Sequence, residues 1–395
     1  MLQFFSSRWR FAVFFALINL ILGNSYSYSF IRPVIEKNYG INSALSGIPL
    51  IALLVSFCVL MFLNNRIVAK YGNITTFYIG LVVLAVGYIG SGFVDNIFLL
   101  TLFFGIISGA GIGILYSSTL IATGLWFPDK KGLAMGITTS GFGLSPLFVT
   151  FVFRQLINDY GLQKMFLILG TISTFLIFVI VTQIRLPPKT SYKAVSLEGQ
   201  TTKEMVGSSL FWVIYSCFTI AMLSGLIVVG TTSPLAVEML GISKSDTAYL
   251  VAFLALPNFF GRIFYGYLTS HFSLFKIGLF SFFLTVIASS CIALGLTTNL
   301  FSFLIAMIII WSSFGGWLSL SPTAIAKFFG VKCYALNYGL TFTGYGIGGL
   351  IGIFVSSYIQ IITGKYSSGF WLIAILSLVG MIIIHFFTSQ KSIST

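Results

Sequence analysis

Gly136 to Gly143 reads GITTSGFG, and 203 residues further on Gly339 to Gly346 reads GLTFTGYG. The three glycines of one copy recur at the same places in the other. Trp126-Phe127 ahead of the first copy is matched by Phe329 ahead of the second, and Gly113 is matched by Gly316 at the same offset. A repeat spaced at about half of the 395-residue chain implies two related halves. Each copy also opens an apolar run long enough to cross a bilayer core of about 30 Å.

The rest of the chain repeats that pattern. Apolar segments near 11–34, 44–64, 74–94, 97–124, 132–157 and 162–185 form one set of six. A second set lies near 208–231, 246–269, 274–296, 298–325, 335–361 and 367–388. Between them runs the polar stretch LPPKTSYKAVSLEGQTTKEMV, from Leu186 to Val206. The reading is an all-α membrane protein: a six-helix bundle over 1–186, a linker over 187–206 and a second six-helix bundle over 207–395. Composition agrees, with 57% hydrophobic and only 7% charged residues. Soluble domains carry roughly 25% charge, so no water-facing surface can be built from this chain. The first apolar run has no small-residue cleavage site after it and is read as a retained span.

The net charge of +13 resolves as topology. With the N-terminus inside, fourteen of the 21 lysines and arginines fall on the cytoplasmic side and six outside, with Arg262 left within a span. This is the bias that orients membrane proteins, and it replaces nucleic acid as the reason for a basic chain. The expected setting is a plasma or inner membrane, multi-pass, with both termini cytoplasmic. Cys58, Cys217, Cys291 and Cys333 are scattered, and there are two histidines, so no metal site or cofactor is expected. The run GAGIG, from Gly109 to Gly113, lacks a preceding strand and is read as a packing feature. No nucleophile–base constellation appears, so an enzyme is not expected.

Arg262 carries the chemistry. It lies about eight residues, or roughly 12 Å, from the cytoplasmic end of its span and hence near the midplane. A central arginine costs about 2.5–3.5 kcal/mol even on lenient insertion scales, so it must face a partner or a cavity. No Asp or Glu follows Asp246 in the chain. A guanidinium without a neutralising acid suits a carboxylate ligand, gripped by two parallel hydrogen bonds. Asn258 lies one turn earlier on the same helix face. Tyr116, Tyr345, Trp317 and Phe342 are candidate walls, with Tyr28 and Asn24 reaching in from the other half. A single cation favours a monoanion, since a dianion would leave net charge in low dielectric. All eight acids map to loops or span ends, so no midplane proton relay is evident.

Two related six-helix halves suit alternating access, in which one half rocks on the other around a central site. Here the residues become familiar. WFPDKKGLAMGI, from Trp126 to Ile137, resembles the loop signature of the oxalate/formate-antiporter-like and monocarboxylate transporter group of the major facilitator superfamily. GAGIG with Tyr116, and NFFGRIFYG from Asn258 to Gly266, resemble the same group's fourth and eighth spans. The resemblance implies a secondary transporter of the major facilitator fold, functioning as a monomer. It would carry a small organic anion such as lactate, pyruvate or formate, with protons or a counter-anion. An exchanger of the oxalate/formate type and a carboxylate receptor that does not transport are the alternatives. Where the family's loop between spans two and three carries an acid, this chain has Ala69, and Ser270 stands in the second copy. Span eleven has Tyr345 within a residue of the lysine found in the oxalate exchanger. Asp129, Lys130, Lys131, Arg66 and Lys70 are the candidate gating charges.

Overall fold

The computed structural model describes residues 8–24, 28–41, 43–187, 199–330 and 333–393, and it is nearly all helical. Among these residues ten helices are long and apolar enough to cross a membrane. Two further spans complete the sets of six. Span one is split into Trp9–Leu22 and Tyr28–Tyr39, and span eleven is the 30-residue helix Tyr334–Thr363.

Span two is Ile48–Tyr71, span three Asn73–Ser91 and span four Ile97–Trp126. The last contains a π-helical turn over Thr101–Ile107. Spans five and six run as Lys131–Gln183, broken at Gly161, whose φ of 81° only glycine adopts readily. In the second half, span seven is Ser209–Leu240, span eight Lys244–Leu268 and span nine Leu274–Ala293. Span ten is Leu300–Phe328 and span twelve Gly369–Ile393.

Three boundaries differ from the sequence expectation. Span one is not a single helix over 11–34: it leaves the α-helix after Leu22 at Gly23, which presses on the Phe142 carbonyl of span five. Span seven continues past 231 to Leu240, stopping where Gly241 turns left-handed and returns its N–H to the Val237 carbonyl. Within the polar stretch a short helix forms over Thr202–Val206. Its capping box pairs the Thr201 hydroxyl and the Glu204 carboxylate with each other's backbone N–H. Residues 188–198 of the expected linker lie outside the described residues.

The repeat is visible in the packing. A Cβ at Gly136 would meet the Arg262 carbonyl of span eight at 2.5 Å; one at Gly339 would meet Phe62 Cα of span two at 2.6 Å. Gly143 likewise abuts Asn258 of span eight, and Gly346 abuts Cys58 of span two. Spans five and eleven therefore play equivalent parts, each crossing to the opposite half on small residues that let backbones touch. The all-α fold is two pseudo-symmetric six-helix halves.

The start of span one, the 4–5 loop and the end of span six share one face. Arg8 donates to both Asp129 carboxylate oxygens at 2.7 and 2.8 Å, and Trp126 Nε1 donates to the Arg185 carbonyl at 2.9 Å. We call this the linker face. On it the halves close tightly: Gly132 of span five abuts the Gly266 carbonyl of span eight, and Lys131 Nζ donates to the Ala326 carbonyl of span ten at 3.4 Å.

Candidate functional site

Arg262 is the largest fully buried side chain in the protein's described residues, at 1% exposure. Span eight carries it against span five of the other half, where Gly136 and Gly143 leave the room. Its Nε donates to Asn258 Oδ1 at 2.9 Å, and one terminal nitrogen, Nη1, donates to the Thr139 backbone carbonyl at 2.7 Å. Nη2 has no protein partner, and neither has Asn258 Nδ2. Among the described residues no acid forms an ion pair with Arg262; the two pairs are Arg8–Asp129 and Arg32–Glu36. The guanidinium thus keeps its positive charge uncompensated and has buried N–H groups to spare. Leaving buried donors unpaired costs about 1–3 kcal/mol each. A carboxylate is the ligand that would remove that cost.

Three of the expected walls meet one another. Phe342 and Tyr345 stack with centroids 4.9 Å apart, and Tyr116 lies 5.8 Å from Phe342. Phe57 of span two joins them at 5.1 Å from Phe342, and Phe142 of span five packs edge-on to Tyr116 at 5.6 Å. The result is an aromatic cluster shared by spans two, four, five and eleven.

Trp317, Tyr28 and Asn24 each use a polar atom inside their own half. Trp317 Nε1 donates to Ser281 Oγ at 3.2 Å, and its ring packs on Phe282 and faces a small apolar cavity lined by Cys217 and Leu320. Tyr28 donates its hydroxyl to the Ser46 carbonyl at 2.6 Å and stacks on Phe104. Asn24 accepts a hydrogen bond from the Tyr88 hydroxyl.

The candidate gating charges also divide. Lys131 reaches the opposite half, where it donates to the Ala326 carbonyl. Asp129 is held by Arg8 within its own half, with Lys130 close enough to add to the field around it. Arg66 and Lys70 are exposed at the end of span two and form no ion pair among the described residues; Lys70 lies over the Tyr71 ring. Hydrogen bonds from Arg8 hold the Asp129 carboxyl below the usual carboxylate range. Its stabilisation is therefore complete above the ordinary value of 3.8 and is lost as pH falls through the lower folded value. Asp129→Asn should lower thermal stability in detergent at pH 7 by no more than about 1 kcal/mol, given the solvent exposure of the pair. The difference from wild type should shrink progressively as pH is lowered below 3.8, and a deficit that stays constant over that range would show that the ion pair is not its cause.

Sequence reasoning missed Thr139, Phe57, Phe142 and Tyr338. Thr139 and Phe142 lie inside the GITTSGFG motif itself, so the motif marked the place without showing which atoms face span eight.

Two pseudo-symmetric membrane bundles, closed on one face around a buried uncompensated cation, define a membrane carrier. The chain belongs to the Major Facilitator Superfamily, whose family model matches residues 13–352 and, again, 227–394. It is a transporter, not an enzyme. It is 26% identical over 363 residues to the oxalate:formate antiporter of Oxalobacter formigenes, covering 88% of this chain and 83% of that protein. It is 33% identical over 138 residues to monocarboxylate transporter 9 of Pongo abelii, covering 35% of this chain and 25% of that one. The solved structure of the proton:xylose symporter XylE bound to 6-bromo-6-deoxy-D-glucose superposes with a TM-score of 0.75. That match spans 97% of this chain and 96% of the other, at 12% identity.

Proposed function

We propose that the protein carries a small monocarboxylate of the lactate, pyruvate or formate kind, in symport with a proton. The bodies 1–186 and 207–395 would rock about the linker, with the linker face cytoplasmic in a plasma or inner membrane and one chain sufficing. The observation that carries this reading is Arg262, buried, uncompensated by any acid and flanked by the unspent amide of Asn258. One carboxylate would neutralise it; a second negative charge would be left unpaired in low dielectric. The inward bias of lysine and arginine supports the orientation. The named transport of organic anions by the relatives supports the substrate class.

Exchange of one anion for another is the second reading, favoured by the similarity to an oxalate:formate antiporter over most of both chains. Proteoliposomes separate the two. Uptake of labelled lactate or pyruvate that rises several-fold with an inward proton gradient supports symport. Uptake that needs internal anion and ignores the gradient supports exchange. Binding with neither uptake nor counterflow would sink both readings.

A further inference from the structure

Tyr338 sits one turn into span eleven from Tyr334, whose hydroxyl contacts Met135 Sδ of span five at 3.9 Å across the two halves. The two tyrosine rings stack with centroids 5.9 Å apart, and Tyr338 leans on Phe342 of the aromatic cluster at 5.8 Å. Its side chain is 1% exposed, yet its hydroxyl has no hydrogen-bond partner in the protein. Arg262 and Tyr116 are within electrostatic reach of that hydroxyl.

A buried tyrosine hydroxyl nearly always finds a partner. Phenylalanine would fill the same volume without a polar atom to satisfy. Three unspent polar groups thus share this region: Arg262 Nη2, Asn258 Nδ2 and the Tyr338 hydroxyl. The first two come from one face of span eight, and a carboxylate offers an acceptor oxygen to each. The third comes from span eleven and is left over. We infer that Tyr338 is a specificity residue whose hydroxyl bonds the oxygen on the carbon next to the substrate carboxylate. The preferred cargo is therefore a 2-oxo or 2-hydroxy monocarboxylate rather than a plain fatty acid or formate. This rests on the monocarboxylate reading and narrows it. A phenol hydroxyl both donates and accepts, so it serves a 2-oxo oxygen and a 2-hydroxyl alike.

The test is Tyr338→Phe in proteoliposomes, with KM measured for labelled pyruvate and for labelled propionate, which lacks only the 2-oxo oxygen. Wild type should favour pyruvate, and the variant should lose about 3- to 10-fold in KM for pyruvate, the worth of one hydrogen bond. Its KM for propionate should be unchanged or lower. A merely structural tyrosine would shift both acids together, and that result overturns the inference, as does a wild type blind to the 2-oxo group. Tyr338→Leu, which removes the ring as well, should raise KM for both acids. If it leaves the KM for pyruvate unchanged, the hydroxyl is not the determinant. Should pyruvate be carried in an Arg262-dependent way while Tyr338→Phe is neutral, only this inference fails. Should no monocarboxylate be carried at all, the underlying reading fails with it.

Discussion

Arg262→Gln is expected to reduce monocarboxylate uptake by about 30-fold or more, with the protein still inserted and folded. Breaking a buried, hydrogen-bonded charge pair by removing one partner costs about 2–5 kcal/mol, and each 1.4 kcal/mol is tenfold. Arg262→Lys should fare little better, because an ammonium cannot present the planar fork that keeps Nε on Asn258 and Nη1 on Thr139. The empty protein should respond in the opposite sense. Without ligand the wild-type cation is buried with donors unspent, so Arg262→Gln should unfold in detergent at the same temperature as wild type or higher. Initial uptake rates normalised to inserted protein, beside thermal unfolding, check both halves. Near-normal uptake with loss of stability would make Arg262 a structural residue.

Gly136→Val should force the linker face open. A Cβ there would stand 2.5 Å from the Arg262 carbonyl and 3.2 Å from Ile263 Cα, both backbone atoms that cannot swing aside. The shortfall from ordinary contact is about 1 Å, and close-packed helices give way by switching arrangement rather than by stretching. Cys58 is a natural reporter. It is buried between spans two and eleven, beside Gly346 and with its thiol 3.8 Å from the Phe342 carbonyl of the other half. With the other cysteines replaced by serine, Gly136→Val should raise Cys58 alkylation by a membrane-impermeant reagent from the linker side by about tenfold, a shift of about 1.4 kcal/mol. Uptake should fall in parallel. Gly339→Val, its counterpart in the second half, should act the same way. Unchanged alkylation in both variants would show that the glycine contacts do not set the closed face.

Most of the architecture was legible because membrane helices advertise themselves by length and apolarity. The repeat was legible because close helix crossings demand glycine at fixed places. Arg262 was legible for the converse reason: one charge in an apolar run has to be explained. Facing direction was not legible. Trp317, Tyr28 and Asn24 sit at plausible depths, but each faces its own bundle, and nothing in a uniformly apolar helix marks which side looks across. Nothing in the sequence distinguishes Tyr338 among 18 tyrosines, because its unpartnered hydroxyl exists only in three dimensions. The break at Gly23 was hidden because glycine is tolerated within membrane helices. The capping box at Thr201 and Glu204 is written in the sequence as T-x-x-E, but it lies within a polar stretch whose composition reads as linker.

The bond from Arg262 Nη1 to the Thr139 carbonyl gives the guanidinium a second office as a clasp between the halves. Under the proposed function, occupancy and shape are thermodynamically linked through this one side chain. A ligand that takes only Nη2 leaves the clasp fastened and adds its grip to the closed form. One that claims both terminal nitrogens must undo the clasp, and so favours the form in which the halves have parted. Whether a bound anion locks this face or releases it is therefore set by how many nitrogens it engages.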